Sequence, residues 1–173
     1  MKRLIFCLIL PCIMVMTGCA SYSGRGLQPG VSELPEITAT MGEPAMRWEN
    51  KDGSKQLAYP RGPAGTQTFM VFVGSDGRLQ NIEGVLNDKY FAQIIAGKSD
   101  AEAVLKLLGP PPSHRITYFK ARDELVWEWR ICDNFSQMAF FNVLFDGTTG
   151  IVRSTLQVPD YSGFDGVVPS CGR

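Results

Sequence analysis

The sequence predicts an α+β fold made of two tandem repeats, each with short helices packed on one face of an antiparallel sheet of three to four strands. Three observations lead to this prediction. A residue pattern recurs at a constant shift of 67 positions, serine, glycine and proline mark helix boundaries, and apolar residues alternate as they do in strands. The 173 residues suffice for one compact domain or two small halves.

The recurring pattern is G-x-S-x4-[I/V]-x3-[M/L]-G-x-P, which runs from Gly30 to Pro44 and again from Gly97 to Pro111. The match continues downstream with small insertions and reaches equivalent turns at Asp76-Gly77 and Thr149-Gly150. Agreement at so many fixed positions indicates that the two segments share one local structure.

Helix boundaries follow from the same pattern. Ser99 is expected to cap a helix, with Glu102 completing a capping box. Gly109 can adopt the left-handed conformation that ends this helix, and the prolines beyond it prevent continuation. In the first copy Ser32 is the expected cap. A second short helix, over about Asp88 to Ala96, is predicted to precede the second copy of the pattern.

Alternation of apolar and polar residues predicts three strands after each helix. In the second half it places Trp127 and Trp129 on one strand face, where we expect them to be core residues. The predicted strands are Lys55 to Tyr59, Thr66 to Val73, Arg78 to Leu86, Leu125 to Ile131, Gln137 to Phe145 and Ile151 to Val158.

The first residues have the three zones of a secretory signal, which we assign to residues 1–18. Lys2 and Arg3 precede an apolar run from Leu4 to Met16, which is shorter than the roughly 20 residues that span a bilayer. The ending Thr17-Gly18-Cys19 resembles the bacterial lipobox. The resemblance implies that Cys19 becomes the first residue and carries acyl chains such as palmitate, which hold the protein on the membrane. Ordinary cleavage, which would leave Cys19 as a free thiol, is the alternative.

The remaining boundaries follow in order. Residues 19–26 form the lipidated cysteine and a short polar tether, residues 27–86 the first repeat, residues 87–158 the second, and residues 159–173 an irregular tail rich in Gly, Pro and Asp. Ala20 and Ser21 follow the cysteine without an Asp, which by resemblance to proteobacterial sorting rules implies an outer-membrane location facing the periplasm.

Two cysteines, Cys132 and Cys171, remain in the mature chain beyond the anchor. In an oxidising compartment an isolated pair favours a disulfide, which here would join the tail to a strand. Two free thiols are the alternative.

Charge and motifs exclude several classes of function. Once Lys2 and Arg3 leave with the signal, fifteen basic side chains remain against seventeen acidic ones, so a nucleic-acid partner has no electrostatic support. His114 is the only histidine and has no recognisable set of Asp, Cys or Ser partners. No metal or nucleotide motif occurs either. We therefore predict a protein that is not an enzyme and has no cofactor and no metal.

The second half, from Asn87 to Val158, resembles the SmpA/OmlA family of outer-membrane lipoproteins, which are built on the BamE-like domain. The resemblance rests on the helix pattern, an aromatic strand pair and a hairpin at residues 146–150. It implies two helices on a short antiparallel sheet, a lipobox, and a role beside the β-barrel assembly machinery. The residues that carry it are Ile94, Gly97, Ser99, Val104, Leu108, Gly109, Pro111, Trp127 and Trp129.

The doubling of this unit looks like the β-lactamase inhibitor protein, in which two helix-on-sheet repeats form one binding surface. Two hypotheses result. The first is a lipid-anchored accessory or scaffold protein that binds envelope proteins, with barrel-assembly components as the expected class. The second is a tandem-repeat module that binds or inhibits an envelope enzyme.

One strand is apolar on both faces, which is unusual for a sheet that helices cover on one side only. Phe141, Val143 and Phe145 point one way, and Met138, Phe140 and Leu144 point the other. We therefore take Phe141, Val143 and Phe145 as candidates for a face that a partner covers. Cover by the other repeat or by the C-terminal tail is the alternative.

Overall fold

A computed structural model describes residues 23–61 and 65–171. The predicted signal peptide, Cys19 and residues 20–22 of the tether lie outside the described residues. The chain is an α+β protein with two antiparallel four-stranded sheets, ordered β1-β2-β3-β4 and β5-β6-β7-β8. The first half comprises α1 (Leu34–Met41), β1 (Met46–Glu49), β2 (Lys55–Pro60), β3 (Thr68–Val73) and β4 (Leu79–Gly84). The second half comprises α2 (Asp88–Phe91), α3 (Ala101–Leu108), β5 (Ile116–Phe119), β6 (Glu124–Cys132), β7 (Met138–Asp146) and β8 (Val152–Pro159).

The first half has its own apolar cluster between α1 and the first sheet. Ile37 and Met41 are the buried residues of the helix. Leu57 and Val71, which are paired across β2 and β3, belong to the same cluster. One face of the first sheet therefore lies against α1.

A larger cluster joins both halves of the molecule. It contains Ala58 and Met70 from the other face of the first sheet, Val104 and Leu108 from α3, and Trp129 from the second sheet. The Gln56 amide donates to the Lys106 carbonyl oxygen at 2.5 Å, which fixes α3 on the first sheet. Helix α3 thus lies between the two sheets, and it explains why both faces of β2 and β3 are apolar.

The two G-x-S segments make the same backbone bonds. The Gly30 N–H donates to the carbonyl of Leu79, at the start of β4, and the Leu79 N–H donates to the carbonyl of Ser32. Gly97 and Ser99 make the same two backbone bonds with Val152, at the start of β8. Each serine hydroxyl also accepts from the backbone N–H four residues earlier, at 3.1 Å for Ser32 and 2.9 Å for Ser99. The repeated serine fixes the entry to a helix by closing a turn.

The predicted capping box is therefore wrong. The N-cap of α3 is Asp100, whose carboxylate accepts from the Ala103 N–H at 2.8 Å, and Glu102 pairs with Lys106 at 2.9 Å. The N-cap of α1 is Glu33, whose side chain makes no capping bond. The serine hydroxyls are unavailable because they are already engaged with the preceding turn.

Other boundaries differ in smaller ways. Strands β1 and β5 escaped prediction because four residues are too few to show alternation. Helix α2 ends at Phe91 and not near Ala96, since Gln93 and Ile94 donate to carbonyls three residues back and tighten the chain into turns. Within the described ranges, no helix is long and apolar enough to cross a membrane.

Candidate functional site

The three residues proposed as a partner face lie in the protein core. Phe141 is 2 % exposed, and Val143 and Phe145 are fully buried. The ring of Phe141 stacks on Phe91 of α2, with centroids 3.8 Å apart. This corrects the sequence-based expectation, because helices of the same chain cover that face of β7. Trp127 and Trp129 share the face, and their prediction as core residues is confirmed.

The other face of the second sheet is the candidate site, and we call it the outer face. It is formed by the side chains that alternate with the buried set across β5–β8. Its rim is exposed and apolar, with Phe119 at 41 %, Leu156 at 43 % and Val158 at 37 % of full exposure. Its middle holds half-buried apolar side chains from the two central strands, namely Val126, Met138, Phe140 and Leu144.

A pocket of about 360 Å³ opens on the outer face beside β5. Its lining includes Thr117, Phe119, Glu128 and Asn142. Asn142 is only 8 % exposed and contributes a polar side chain to the pocket beside Glu128. Among the described residues that line the pocket, the buried polar atom without a hydrogen-bond partner is Nε of Arg115. A buried donor without a partner costs free energy relative to a satisfied one. The pocket therefore combines apolar side chains with polar groups that could bond to a ligand or a partner.

Two arginines cover part of the outer face while their charges stay paired. Arg115 forms an ion pair with Glu128 and lies over the ring of Phe140, with its guanidinium carbon 4.3 Å from the ring centroid. Arg130 donates through Nε and Nη2 to one carboxylate oxygen of Asp160, at 3.0 and 2.7 Å. The charges of this face are thus largely satisfied internally, so shape and apolar contact dominate what it can bind.

Asp160 is 3 % exposed and closes one end of the face. Burial raises the pKa of its carboxyl, but hydrogen bonds from Ser162 and Arg130 outweigh burial and hold that pKa below its ordinary value. The carboxylate is therefore charged at neutral pH and keeps Arg130 in place.

The C-terminal tail is fixed beside the same end of the sheet. A disulfide joins Cys132, the last residue of β6, to Cys171. The tail backbone also pairs with the β6–β7 hairpin, since Cys171 donates to the Ser136 carbonyl at 2.8 Å and Met138 donates to the Pro169 carbonyl at 2.7 Å. The tail adds exposed apolar side chains there, with Phe164 at 90 % exposure.

The described residues offer no assembled chemistry of other kinds. Among residues 23–61 and 65–171, no three His, Cys, Asp or Glu side chains are grouped to hold a metal ion. His114 lies in a short turn beside the outer-face pocket, whose lining also includes Thr117 and Glu128. The Glu128 carboxylate is paired with Arg115.

The corresponding face of the first sheet is covered by α3. There Ala58, Thr68 and Met70 lie against α3, and Gly109 approaches so closely that a Cβ at that position would stand 2.9 Å from Thr68 Cγ2. Each sheet thus has one face against the helix that precedes it in the chain. The second face of the first sheet carries α3, whereas the described helix that reaches the outer face is the single 3-10 turn Ser113–Arg115.

Comparison with known proteins gave no relative: no family model, no curated protein and no solved structure matches the chain.

Proposed function

We propose that this chain is a lipid-anchored accessory protein of the outer membrane that binds other envelope proteins and performs no catalysis. Its two halves are, on this proposal, tandem copies of one SmpA/OmlA-like unit. The matched bonds of the Gly30–Ser32 and Gly97–Ser99 segments support the duplication. So do Gly42 and Gly109, which end α1 and α3 with nearly equal backbone angles.

The observation that carries the proposal is the outer face, which no α-helix of the described residues covers. In a stack of two equivalent units, the helix of the second covers the sheet of the first, and within the described residues no further α-helix covers the second sheet. Leu156, Val158 and Phe119 then remain exposed where the first sheet is buried by α3. Exposed apolar side chains grouped on one face are typical of protein interaction sites. The occupant that fits is an amphipathic segment of another protein, seated where a third unit would place its helix.

The anchor would keep this face near the membrane. Ser23, the first described residue, is four residues from Cys19, and four extended residues span at most about 14 Å. Gly24 lies against Ile82 of β4, so the anchored end of the chain is fixed on the first half. Partners that are themselves in or on the outer membrane are therefore favoured, and barrel-assembly components are one such class.

Site-specific photo-cross-linking in intact cells tests the proposal. A photoreactive residue replaces Leu156 on the outer face, and the matched control replaces Val31, which is 60 % exposed on the first half. We expect cross-links to outer-membrane or membrane-associated proteins from position 156 and not from position 31. Cross-links to a soluble periplasmic enzyme would favour the inhibitor hypothesis instead. Equal patterns from the two positions, or none from position 156, would contradict the proposal.

A further inference from the structure

The last strand of the second sheet has an outward edge, and its backbone geometry can be derived from the pairing. Asp160 donates to the Met138 carbonyl at 2.9 Å, so the backbone groups of Met138 point toward the side of β7 on which β8 lies. In an antiparallel ladder this orientation recurs at every second residue. The pairing of β7 with β8 therefore uses the backbone of residues 154, 156 and 158, and the N–H and C=O groups of Thr155 and Gln157 point away from the sheet.

The start of this edge is already occupied within the chain. Val152 directs its backbone outward and bonds to Gly97 and Ser99. The Gly97–Ser99 segment covers the edge only as far as a β-bulge in β8, which lies opposite Leu144 and Phe145 of β7. Within the described ranges, no hydrogen bond reaches the outward backbone groups of Thr155 or Gln157.

The equivalent edge in the first half is partly closed by side chains. After Leu79, which bonds to Gly30 and Ser32, the outward N–H of Ile82 donates to the side-chain oxygen of Asn81 at 2.8 Å. The outward carbonyl of Gly84 accepts from the Asn87 side chain at 2.7 Å. One outward group of each of these two residues is therefore bonded in β4, whereas within the described residues no outward backbone group of Thr155 or Gln157 is bonded in β8. Because proteins usually protect long edges, an eight-residue edge left open over its second half calls for a partner.

The surroundings of the open edge define what fits there. On the inner side a groove of about 340 Å³ runs between β8 and α2, lined by Phe91, Ala92, Phe141 and Gln157. On the outer side Leu156 and Val158 are exposed. A strand laid along β8 would direct alternate side chains to these two sides. The inner groove combines apolar side chains with Thr155, Gln157 and Asp88, whose carboxylate accepts from the Gln157 and Asn134 amides.

We propose that the edge of β8 at Thr155–Gln157 binds an extended polypeptide segment with small apolar side chains by adding it to the second sheet as a fifth strand. Only a polypeptide backbone supplies donors and acceptors at the spacing of this edge. The bound segment extends from the bulge toward Pro159. Because Pro159 lacks an N–H, the backbone donors along this edge end there. This inference deepens the proposed function, on which it rests for a protein partner, and it assigns that partner an extended conformation at this edge.

The test uses the full-length protein purified in detergent and a labelled eight-residue peptide of alternating valine and threonine with a lysine at each end. A second peptide has the same sequence with alternate backbone nitrogens methylated, which removes its donors. We expect the first peptide to bind below about 1 mM and to slow amide exchange in residues 152–159. We expect the methylated peptide to bind at least about tenfold more weakly.

A pair of variants separates the backbone from the side chain. Gln157→Pro removes the outward N–H without removing a bond to β7, and Gln157→Ala removes the same side chain but keeps the N–H. Gln157→Pro should weaken peptide binding about tenfold relative to Gln157→Ala, with both variants retaining the circular dichroism spectrum of the parent protein.

Several results would overturn the inference. These are equal binding of the two peptides, equal binding by the two variants, no slowing of exchange in β8 at saturation, and no binding at about 1 mM. A dimer in which β8 of one copy pairs with β8 of another, with no displacement by peptide, would also overturn it. Cross-linking from Leu156 in cells tests the proposed function separately, so either experiment can fail without the other.

Discussion

Replacing Gly109 by alanine should lower the free energy of unfolding for two reasons, namely an unfavourable backbone conformation and a steric clash with the first sheet. Gly109 ends α3 with φ 73° and ψ 177°, a region that side chains rarely adopt and that costs about 1–3 kcal/mol. An added Cβ would also stand 2.9 Å from Thr68 Cγ2 and 3.3 Å from Ala58 Cβ. Overpacking of this kind costs a further 1–3 kcal/mol or so. We therefore expect Gly109→Ala to lower the free energy of unfolding by about 2–6 kcal/mol.

The control is Gly97→Ala. Gly97 also has a positive φ, 75°, but a Cβ at that position would meet no atom within 4 Å, so the substitution carries a backbone cost without a steric one. Urea unfolding followed by tryptophan fluorescence gives both free energies, provided that the denaturant slope stays constant. Gly109→Ala should exceed Gly97→Ala by about 1–3 kcal/mol.

A double-mutant cycle then identifies the contact itself. Thr68→Ser keeps the hydroxyl and removes the Cγ2 methyl that the new Cβ would meet, at a cost of about 1 kcal/mol on its own. In the Gly109→Ala background, Thr68→Ser should cost less unfolding free energy than it does in the parent protein, or should even stabilise the protein. The coupling energy between the two substitutions should then be about 1 kcal/mol or more. Equal costs for the two glycines together with zero coupling would show that α3 does not lie on the first sheet.

Three further predictions concern the disulfide, the buried carboxylate and the repeated serines. Loss of the Cys132–Cys171 bridge, which spans 39 residues, should cost about 4 kcal/mol of unfolding free energy in the chain-entropy model. Cys132→Ser, Cys171→Ser and the double variant should therefore unfold at the same urea concentration, and additive effects would contradict this. Because the folded-state pKa of Asp160 is lowered, its stabilisation is present above about pH 4 and is lost as the pH falls through the folded-state value. The stability difference between the parent protein and Asp160→Asn should thus shrink between about pH 5 and pH 2, and a constant difference would argue against the ion pair with Arg130. Ser32→Ala and Ser99→Ala should each cost about 1 kcal/mol, with the larger effect at Ser32, which is 2 % exposed, and a neutral Ser32→Ala would exclude the proposed turn-closing role.

The helix ends and long strands were predictable because their signals are local. Glycine followed by proline can only end a helix, and Gly42 and Gly109 do so within one residue of the expected position. The alternation in β6 likewise placed Trp127 and Trp129 on the buried face. The choice of N-cap was not predictable, because Ser99 and Asp100 both suit that role and only the turn preceding them decides between them.

The position of the candidate site depended on tertiary structure. The sequence showed that β7 is apolar on both faces, but nothing local says which face the helices cover. The structure puts Phe91 of α2 over Phe141 and leaves Phe140 on the outer face. The open edge of β8 could not be predicted either, since it depends on where the Gly97–Ser99 segment ends along the strand.

The location of α3 also affects how the chain unfolds. This helix follows the first sheet in sequence, yet Val104 and Leu108 belong to a cluster that includes residues of both sheets. A chain cut between the halves would expose Met70 on one fragment and one side of α3 on the other. Neither fragment is then expected to be stable alone, so the protein should denature in a single cooperative step, with one transition shared by Trp48 in the first sheet and Trp129 in the second.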